Sequence, residues 1–249
     1  MPENTRINVT SATSQTFKYL LSLKQHQVQK DGKEFMVQGS NLIVEASIAK
    51  LLQAIIVAEE AEMTAFKNIK TTIYVVKRFL FDRLVSGKSK QQYLGIVSLK
   101  EKMPIVLDRV VYLLKVQNPS NVGAIIRTSY AFGAETIVLS ESASPFDYKA
   151  ILASEGAIFH VNIVFDNNLS LFLKTHPDHQ AFLTILDQEA TKLDEISVPS
   201  KYILVFGNEG QGLNLESLGQ YQKLYLPITN FDSLNVAVAH GIIMYKFRK

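Results

Sequence analysis

Amide, hydroxyl and charged side chains cluster in two loops near the end of the chain. GNEGQG (207–212) follows the apolar run ILVF (203–206) and sets Asn208 and Glu209 among three glycines. TNFDSLN (229–235) follows LYLP (224–227) and carries Asn230, Ser233 and Asn235. Earlier, Arg127 stands in the otherwise apolar VGAIIRTSYAF (122–132), six residues after Asn121. Such groups hold and orient a polar or anionic substrate. Other chemistries are excluded. There is no cysteine, so there is no thiolate nucleophile, disulfide or Cys-based zinc site. The glycine loop runs G-x-x-G-x-G rather than G-x-G-x-x-G and lacks the Lys-Ser/Thr of a P-loop, so neither nicotinamide nor nucleoside-triphosphate binding is supported. His176 and His179 form an H-x-x-H with no further ligand nearby, so no metal is expected. His160 and His240 lie in apolar contexts that suit core histidines. Arg127 has two readings. It snorkels to solvent or pairs with a carboxylate such as Glu209, a structural role; or it faces a pocket and holds a phosphate or activates a hydroxyl. Taken alone, the structural role is the more economical.

These loops act only if strands and helices place them. Residues 203–206 read as a buried parallel strand stopping at Gly207, and 224–226 as a second strand closed by Pro227. Gly207, Gly210 and Gly212 allow a sharp turn or close approach of a ligand. Ser233 is the expected N-cap of the helix that follows. That helix (LNVAVAHGIIMYKF) is apolar nearly all round and is expected to be buried on more than one face. Lys246, Arg248 and Lys249 fall at its end, where the macrodipole favours cations. Ligands of open α/β sheets bind at strand carboxyl ends, so Asn208, Glu209, Asn230, Ser233 and Asn235 are placed to share a pocket. Upstream, 109–115 is a strand, Asn118-Pro119-Ser120 a turn, Asn121 the start of a helix ended by Gly133, and 137–139 a strand: a β-α-β unit. A helix end, Gly156 and a strand follow over 150–165, then a helix (168–174) and a strand (182–186).

The 249 residues are 47% hydrophobic and 20% charged, ordinary for one large or two small domains. The polar N-terminus lacks an apolar signal core and no stretch approaches a membrane span, so a cytoplasmic protein without membrane contact is expected. Charge is uneven. Residues 1–100 hold 14 Lys and Arg against 8 Asp and Glu; the remainder holds 12 against 15. Phosphate contacts therefore fall mainly to the first part, with scattered solvated lysines as the alternative. That part alternates helix (11–30), strand (34–38), helix (41–52), strand (54–58), helix (59–66), strand (71–76), helix (77–85) and strand (93–99), a compact α/β unit. Lys24, His26 and Lys30 on the first helix, with Lys88 and Lys90 in the loop 86–91, are candidate RNA-phosphate contacts. The charged, proline-ended KEKMP (100–104) is the linker. The expected domains are 1–100 and 109–249, joined by 101–108.

Three segments in register, NPSNVGAIIRTSYAFGA (118–134), ILVFGNEGQGLN (203–214) and LPITNFDSLNVAVAHGIIMY (226–245), resemble the SpoU/TrmH family of SPOUT RNA methyltransferases. The first hundred residues, including KEFMVQGSNLIVEA and YLGIVSLK, look like the small ribosomal-protein-like RNA-binding domain often fused ahead of that catalytic domain. The resemblance implies an α/β parallel sheet whose C-terminal part is threaded into a trefoil knot. It also implies a homodimer, S-adenosylmethionine (AdoMet) held in the knot without a metal, and methyl transfer to a ribose 2′-hydroxyl of rRNA or tRNA, with rRNA favoured. Carried over residue by residue, Arg127 is the activator of the hydroxyl, and Asn121, Glu209, Ser233 and Asn235 match the other site positions. Gly207, Asn208, Gly212, Leu226, Ile228 and Leu234 are the expected cofactor contacts. Arginine is a very weak base, so Arg127 holds phosphate and hydroxyl geometry, or acts as a base only in a dry, coupled site. The family often has aspartate at Asn118 and arginine at Leu152; the second departure bears on the RNA target. A non-catalytic RNA-binding protein of the same fold, or a resistance rRNA methyltransferase, are the alternatives.

Overall fold

A computed structural model describes residues 5–25, 34–87, 91–98, 108–208, 218 and 220–248. The chain divides into two compact units, Met1–Glu101 with Phe146–Ile151, and Lys102–Pro145 with Leu152–Lys249. The expected linker at 100–104 lies outside the described residues.

The first unit runs β1 (Arg6–Val9), α1 (Gln15–Gln25), β2 (Phe35–Gln38), α2 (Ser40–Ile48), β3 (Leu52–Ala58), β4 (Thr72–Val76), α3 (Arg78–Leu84) and β5 (Tyr93–Val97). Its sheet has the order β1-β4-β3-β5-β2; β1, β4 and β3 are parallel and β5 is antiparallel to both its neighbours. Phe17, Leu20 and Leu23 of α1 recur at helical spacing, and with Leu80, Phe81 and Leu84 of α3 they bury against Ile56, Val76, Leu94 and Ile96. The helix begins later than expected because the Ser14 hydroxyl accepts the Phe17 N–H at 3.1 Å. The expected helix over 59–66 shrinks to one 3-10 turn, Thr64–Phe66. Glu59 still donates its N–H to Val76 O at 2.9 Å, so the chain is following the sheet where that helix was to start. The helix expected over 41–52 ends at Ile48, and Lys50 at φ 59 turns the chain into β3.

From Arg109 the chain runs β6 (Arg109–Leu114), α4 (Pro119–Ala131), β7 (Thr136–Ser140), α5 (Tyr148–Ser154), β8 (Asn162–Phe165), α6 (Leu169–Thr175), β9 (Gln180–Ile185), β10 (Thr191–Lys192), β11 (Tyr202–Phe206), β12 (Gln222–Tyr225) and α7 (Val236–Lys246); all of these fall in the second unit except the greater part of α5, which is counted with the first. All seven strands are parallel, in the order β10-β12-β9-β11-β6-β7-β8. The short edge strand β10 was not anticipated. The apolar runs VVYLL and YILVF make β6 and β11 central and wholly or almost wholly buried, as parallel strands covered on both faces must be. One face packs under Leu169, Phe172 and Leu173 of α6. After β6 the chain moves one way, to β7; after β11 it moves the other way, to β12. Neighbouring strands whose connections part in this way open a crevice at their carboxyl ends, where open α/β sheets place ligands. Among the described residues no helix is long and apolar enough to cross a membrane.

In the first unit, Gly95 sits where a Cβ would lie 2.9 Å from Val37 Cγ2, 3.0 Å from Ile43 Cγ1 and 3.2 Å from Leu52 Cδ1. The close approach of β5 to its neighbours and α2 requires glycine there. Gly95→Ala should cost about 1–3 kcal/mol by overpacking, seen as a lower urea midpoint.

Candidate active site

Three segments leave the carboxyl rim of the second unit's sheet: 115–118 after β6, Gly207 and Asn208 after β11, and 226–235 after β12. The first is stitched in place. Val116 N donates to Ser142 Oγ at 2.9 Å, and that hydroxyl donates to Leu113 O at 3.0 Å. The Gln117 amide donates to Glu141 O at 2.6 Å. Lys115 and Glu141 leave adjacent strands in the left-handed region, at φ 58 and 48. For residues bearing a Cβ that conformation costs on the order of 1 kcal/mol each. It is held because Lys115 N donates to Ser140 O at 2.9 Å while Lys115 O accepts Asn208 Nδ2 at 3.0 Å. The glycine loop is thereby moored at its first polar residue to the end of β6.

The third loop is moored to the same place. Asn235, not Ser233, caps α7: its Oδ1 accepts the N–H groups of Ala237 at 2.9 Å and Val238 at 3.4 Å. Its Nδ2 donates to Asn121 Oδ1 at 3.1 Å. Ser233 lies two residues upstream on the exposed loop. Asn121 is likewise not the start of its helix. Asn118 is the cap, accepting Ser120 N at 2.9 Å, with Pro119 at the first helical position. Asn121 thus sits in the first turn of α4 with its amide turned towards the loop ahead of α7.

Arg127, one turn and a half further along α4, is exposed, and no carboxylate among the described residues pairs with it. Glu209, the partner of the structural reading, lies outside the described residues, as do Gly212, Lys30, Lys88 and Lys90. Lys24 is described, and its ammonium donates to Arg83 O at 2.8 Å and Val85 O at 2.7 Å, closing the end of α3. Gly207, Leu226 and Ile228 are half-buried at the rim, and Leu234 is partly exposed. Apolar side chains beside main-chain amides, with a glycine that bears no Cβ, suit a flat heteroaromatic group with a hydrogen-bonding edge. The residues present therefore fit the adenosyl group of AdoMet. His176 ends α6, with Nδ1 2.8 Å from Phe172 O and its ring stacked on Phe172. Among the described residues no group of three His, Cys, Asp or Glu could hold a metal ion.

One contact was not foreseen. His240 of α7 is fully buried, with Nε2 3.0 Å from Ser129 Oγ of α4 and its ring edge-on to Phe206, the last residue of β11. It joins α7 to α4 and to β11. Among the described residues Nδ1 has no hydrogen-bond partner. Burial pushes its pKa down from 6.5 to about 3, so it is neutral at physiological pH. The same packing corrects the reading of α7. Val236, His240, Ile243 and Met244 are buried, but Val238, Ile242 and Tyr245 are exposed on the other side.

A model of the SpoU rRNA methylase family matches residues 108–245, more than half of the chain. The chain belongs to the SpoU rRNA methylase family. It is 26% identical over 244 residues to the 23S rRNA (guanosine(2553)-2′-O)-methyltransferase RlmP of Bacillus subtilis, covering 96% of this chain and 98% of that one. An rRNA methyltransferase from Sinorhizobium meliloti superposes with a TM-score of 0.81 at 25% identity, covering 98% of each chain. An AdoMet-bound rRNA methyltransferase structure from the same organism superposes at 0.80 with 26% identity, covering 97% of each. The matched span includes 115–118, 207–208 and 226–235.

Two consequences can be measured on this SpoU site. Asn235→Ala removes a helix cap and the bond to Asn121 together; it should lower stability by about 1–2 kcal/mol, while Asn235→Asp, which keeps the capping oxygen, recovers most of that loss in thermal melts. His240 binds a proton in the unfolded chain below 6.5 but in the folded protein only near 3. Its contribution is complete above pH 6.5 and is lost as pH falls from there towards 3. Between pH 7.5 and 5.5 this group alone should remove on the order of 1 kcal/mol, and His240→Gln should flatten that part of the stability–pH curve.

Proposed function

We propose that this chain methylates a ribose 2′-hydroxyl of ribosomal RNA, with AdoMet as the methyl donor. The observation that carries the reading is the Asn235–Asn121 bond, which draws the loop ahead of α7 onto the helix bearing Arg127, at the crevice between β6 and β11. When bound, AdoMet supplies a methyl group already activated by its sulfonium. What remains for the protein is to align the sugar oxygen and ease the loss of its proton. Arg127 holds the hydroxyl and an adjoining phosphate, its fixed positive charge favouring the developing alkoxide. Asn121 and Asn235, braced by each other, set the edges of the pocket. Glu209 and Ser233 complete it. Gly207, Asn208, Gly212, Leu226, Ile228 and Leu234 line the adenosyl end.

Similarity over nearly the whole chain to a relative named for 2′-O-methylation of 23S rRNA favours rRNA over tRNA. The first unit, with its excess of Lys and Arg, supplies phosphate contacts; Lys30, Lys88 and Lys90 belong to that role, while Lys24 combines it with capping α3. The exposed apolar stripe Val238, Ile242 and Tyr245 on α7 supports a homodimer. Placement of β12 beyond β9, with α7 returning to α4, supports the trefoil threading the family resemblance implies. Such an enzyme works in the cytoplasm, where its RNA is made.

Arg127→Ala should lower methyl transfer to rRNA by about 100-fold or more, with AdoMet affinity by calorimetry nearly unchanged. Equal loss of both would remove Arg127 from the chemistry. A wild-type protein that binds rRNA yet incorporates no labelled methyl group would make it a non-catalytic RNA-binding member of the fold.

A further inference from the structure

We propose that Phe231 is a stacking platform for a nucleobase of the RNA beside the target ribose. The inference rests on the reading of the chain as an RNA methyltransferase. Phe231 is 80% exposed, the highest value among the large apolar side chains described. It does not stand on a remote surface. It lies four residues ahead of Asn235, on the loop that the Asn235–Asn121 bond ties to the first turn of α4. The loop is not slack at this point: Phe231 N donates to Thr229 O at 2.8 Å, closing a tight turn that turns the ring outwards. Its neighbours Thr229, Asn230, Asp232 and Ser233 are all polar and exposed. A phenyl ring held open to water in a polar loop at the mouth of a site gives nothing to the core.

The chemistry selects the occupant. A phenyl ring offers a flat apolar face, and every nucleobase offers a complementary one; RNA recognition commonly uses such rings to hold unstacked bases. The Asp232 carboxylate next door disfavours phosphate at this point, so the loop takes the face of a base while Arg127 is left to the backbone and sugar. Asn230 and Asp232 can meet a base edge on either side of the ring. A ring clamped onto a base near the target fixes the register of the ribose against Arg127. Phe231 is accordingly a residue that selects an unpaired nucleotide rather than a duplex.

The test uses the full-length protein and in vitro transcribed 23S rRNA, which carries no prior methylation. RNA affinity, kcat/KM for RNA, AdoMet affinity and sedimentation mass are measured for wild type, Phe231→Ala and Phe231→Trp. Loss of one stacked base should weaken RNA binding and lower kcat/KM by about 5- to 150-fold in Phe231→Ala, with AdoMet affinity and mass unchanged. Phe231→Trp should stay close to wild type. RNA affinity unchanged in Phe231→Ala overturns the inference. So does a fall in mass, which would assign the ring to a contact between copies. Absence of methyl incorporation by wild type counts against the proposed function, whereas RNA affinity still decides the role of Phe231.

Discussion

One amide does two jobs on which the site depends. The oxygen of Asn235 closes the first turn of α7, and its nitrogen reaches Asn121 in the first turn of α4. A serine or aspartate would satisfy the helix end equally well. An ionised aspartate has no proton to donate to Asn121, and a serine would have to do both jobs through one oxygen rather than through two separate atoms. Asparagine is the short side chain with an acceptor and a donor on one rigid plane. The same atoms that end the loop therefore also fix where it lies, and the distance between α4 and the strand-end loops is not left to packing alone.

The segment between β6 and α4 is the point to which everything else is referred. It receives Asn208 through the carbonyl of Lys115, and the first turn of α4 that follows it receives Asn235 through the side chain of Asn121. Its own path is held by the hydroxyl of Ser142 and by two residues in a left-handed conformation. Backbone strain of this kind persists where surrounding bonds over-determine it. Beneath the rim, His240 repeats the pattern from the interior, joining α7 to Ser129 and packing on the last residue of β11. Loop ends and helix flanks are thus held at two depths, which lets the loops between stay polar and open.

How far the residues foretold this arrangement depended on the range of the force involved. Strands such as β6 and β11 were plain, because a buried parallel strand needs an unbroken apolar run and 110–114 and 202–206 provide one. The β-α-β order and the loops at strand ends followed. Local sequence does not decide the cap of α7: Ser233 and Asn235 are both competent caps two residues apart, and a partner 114 residues away decides between them. Asn118 outranked Asn121 for a local reason that was visible: Pro119 is suited to the first helical position. The breadth of apolar sequence in α7 suggested burial all round, yet one stripe faces outward; composition reports that a surface must be covered, not whether the same chain covers it. The Ser129–His240 pair has no local signature, since each residue alone is an ordinary feature of an apolar helix.

The joints that assemble the rim are neutral: amide to amide, amide to carbonyl, hydroxyl to imidazole. That choice has a physical consequence for a protein that meets a polyanion. Contacts to phosphate weaken steeply as salt rises, because counterions released on binding must be displaced from a more concentrated solution. A site framed by ion pairs would loosen along the same axis and would offer its cations and carboxylates as competing partners for the substrate. Neutral hydrogen bonds do neither. Among the described residues no carboxylate pairs with Arg127. Of the described ion pairs, Arg78 with Glu60 and Asp82 in the first unit and Lys201 with Asp108 near the opposite end of the second sheet lie away from the strand-end loops; Lys115 with Glu141, at 3.6 Å, stands at the rim, but both side chains are about half exposed, where a pair contributes little. The hydrogen bonds that hold the strand-end loops are therefore far less sensitive to ionic strength than a contact to phosphate would be.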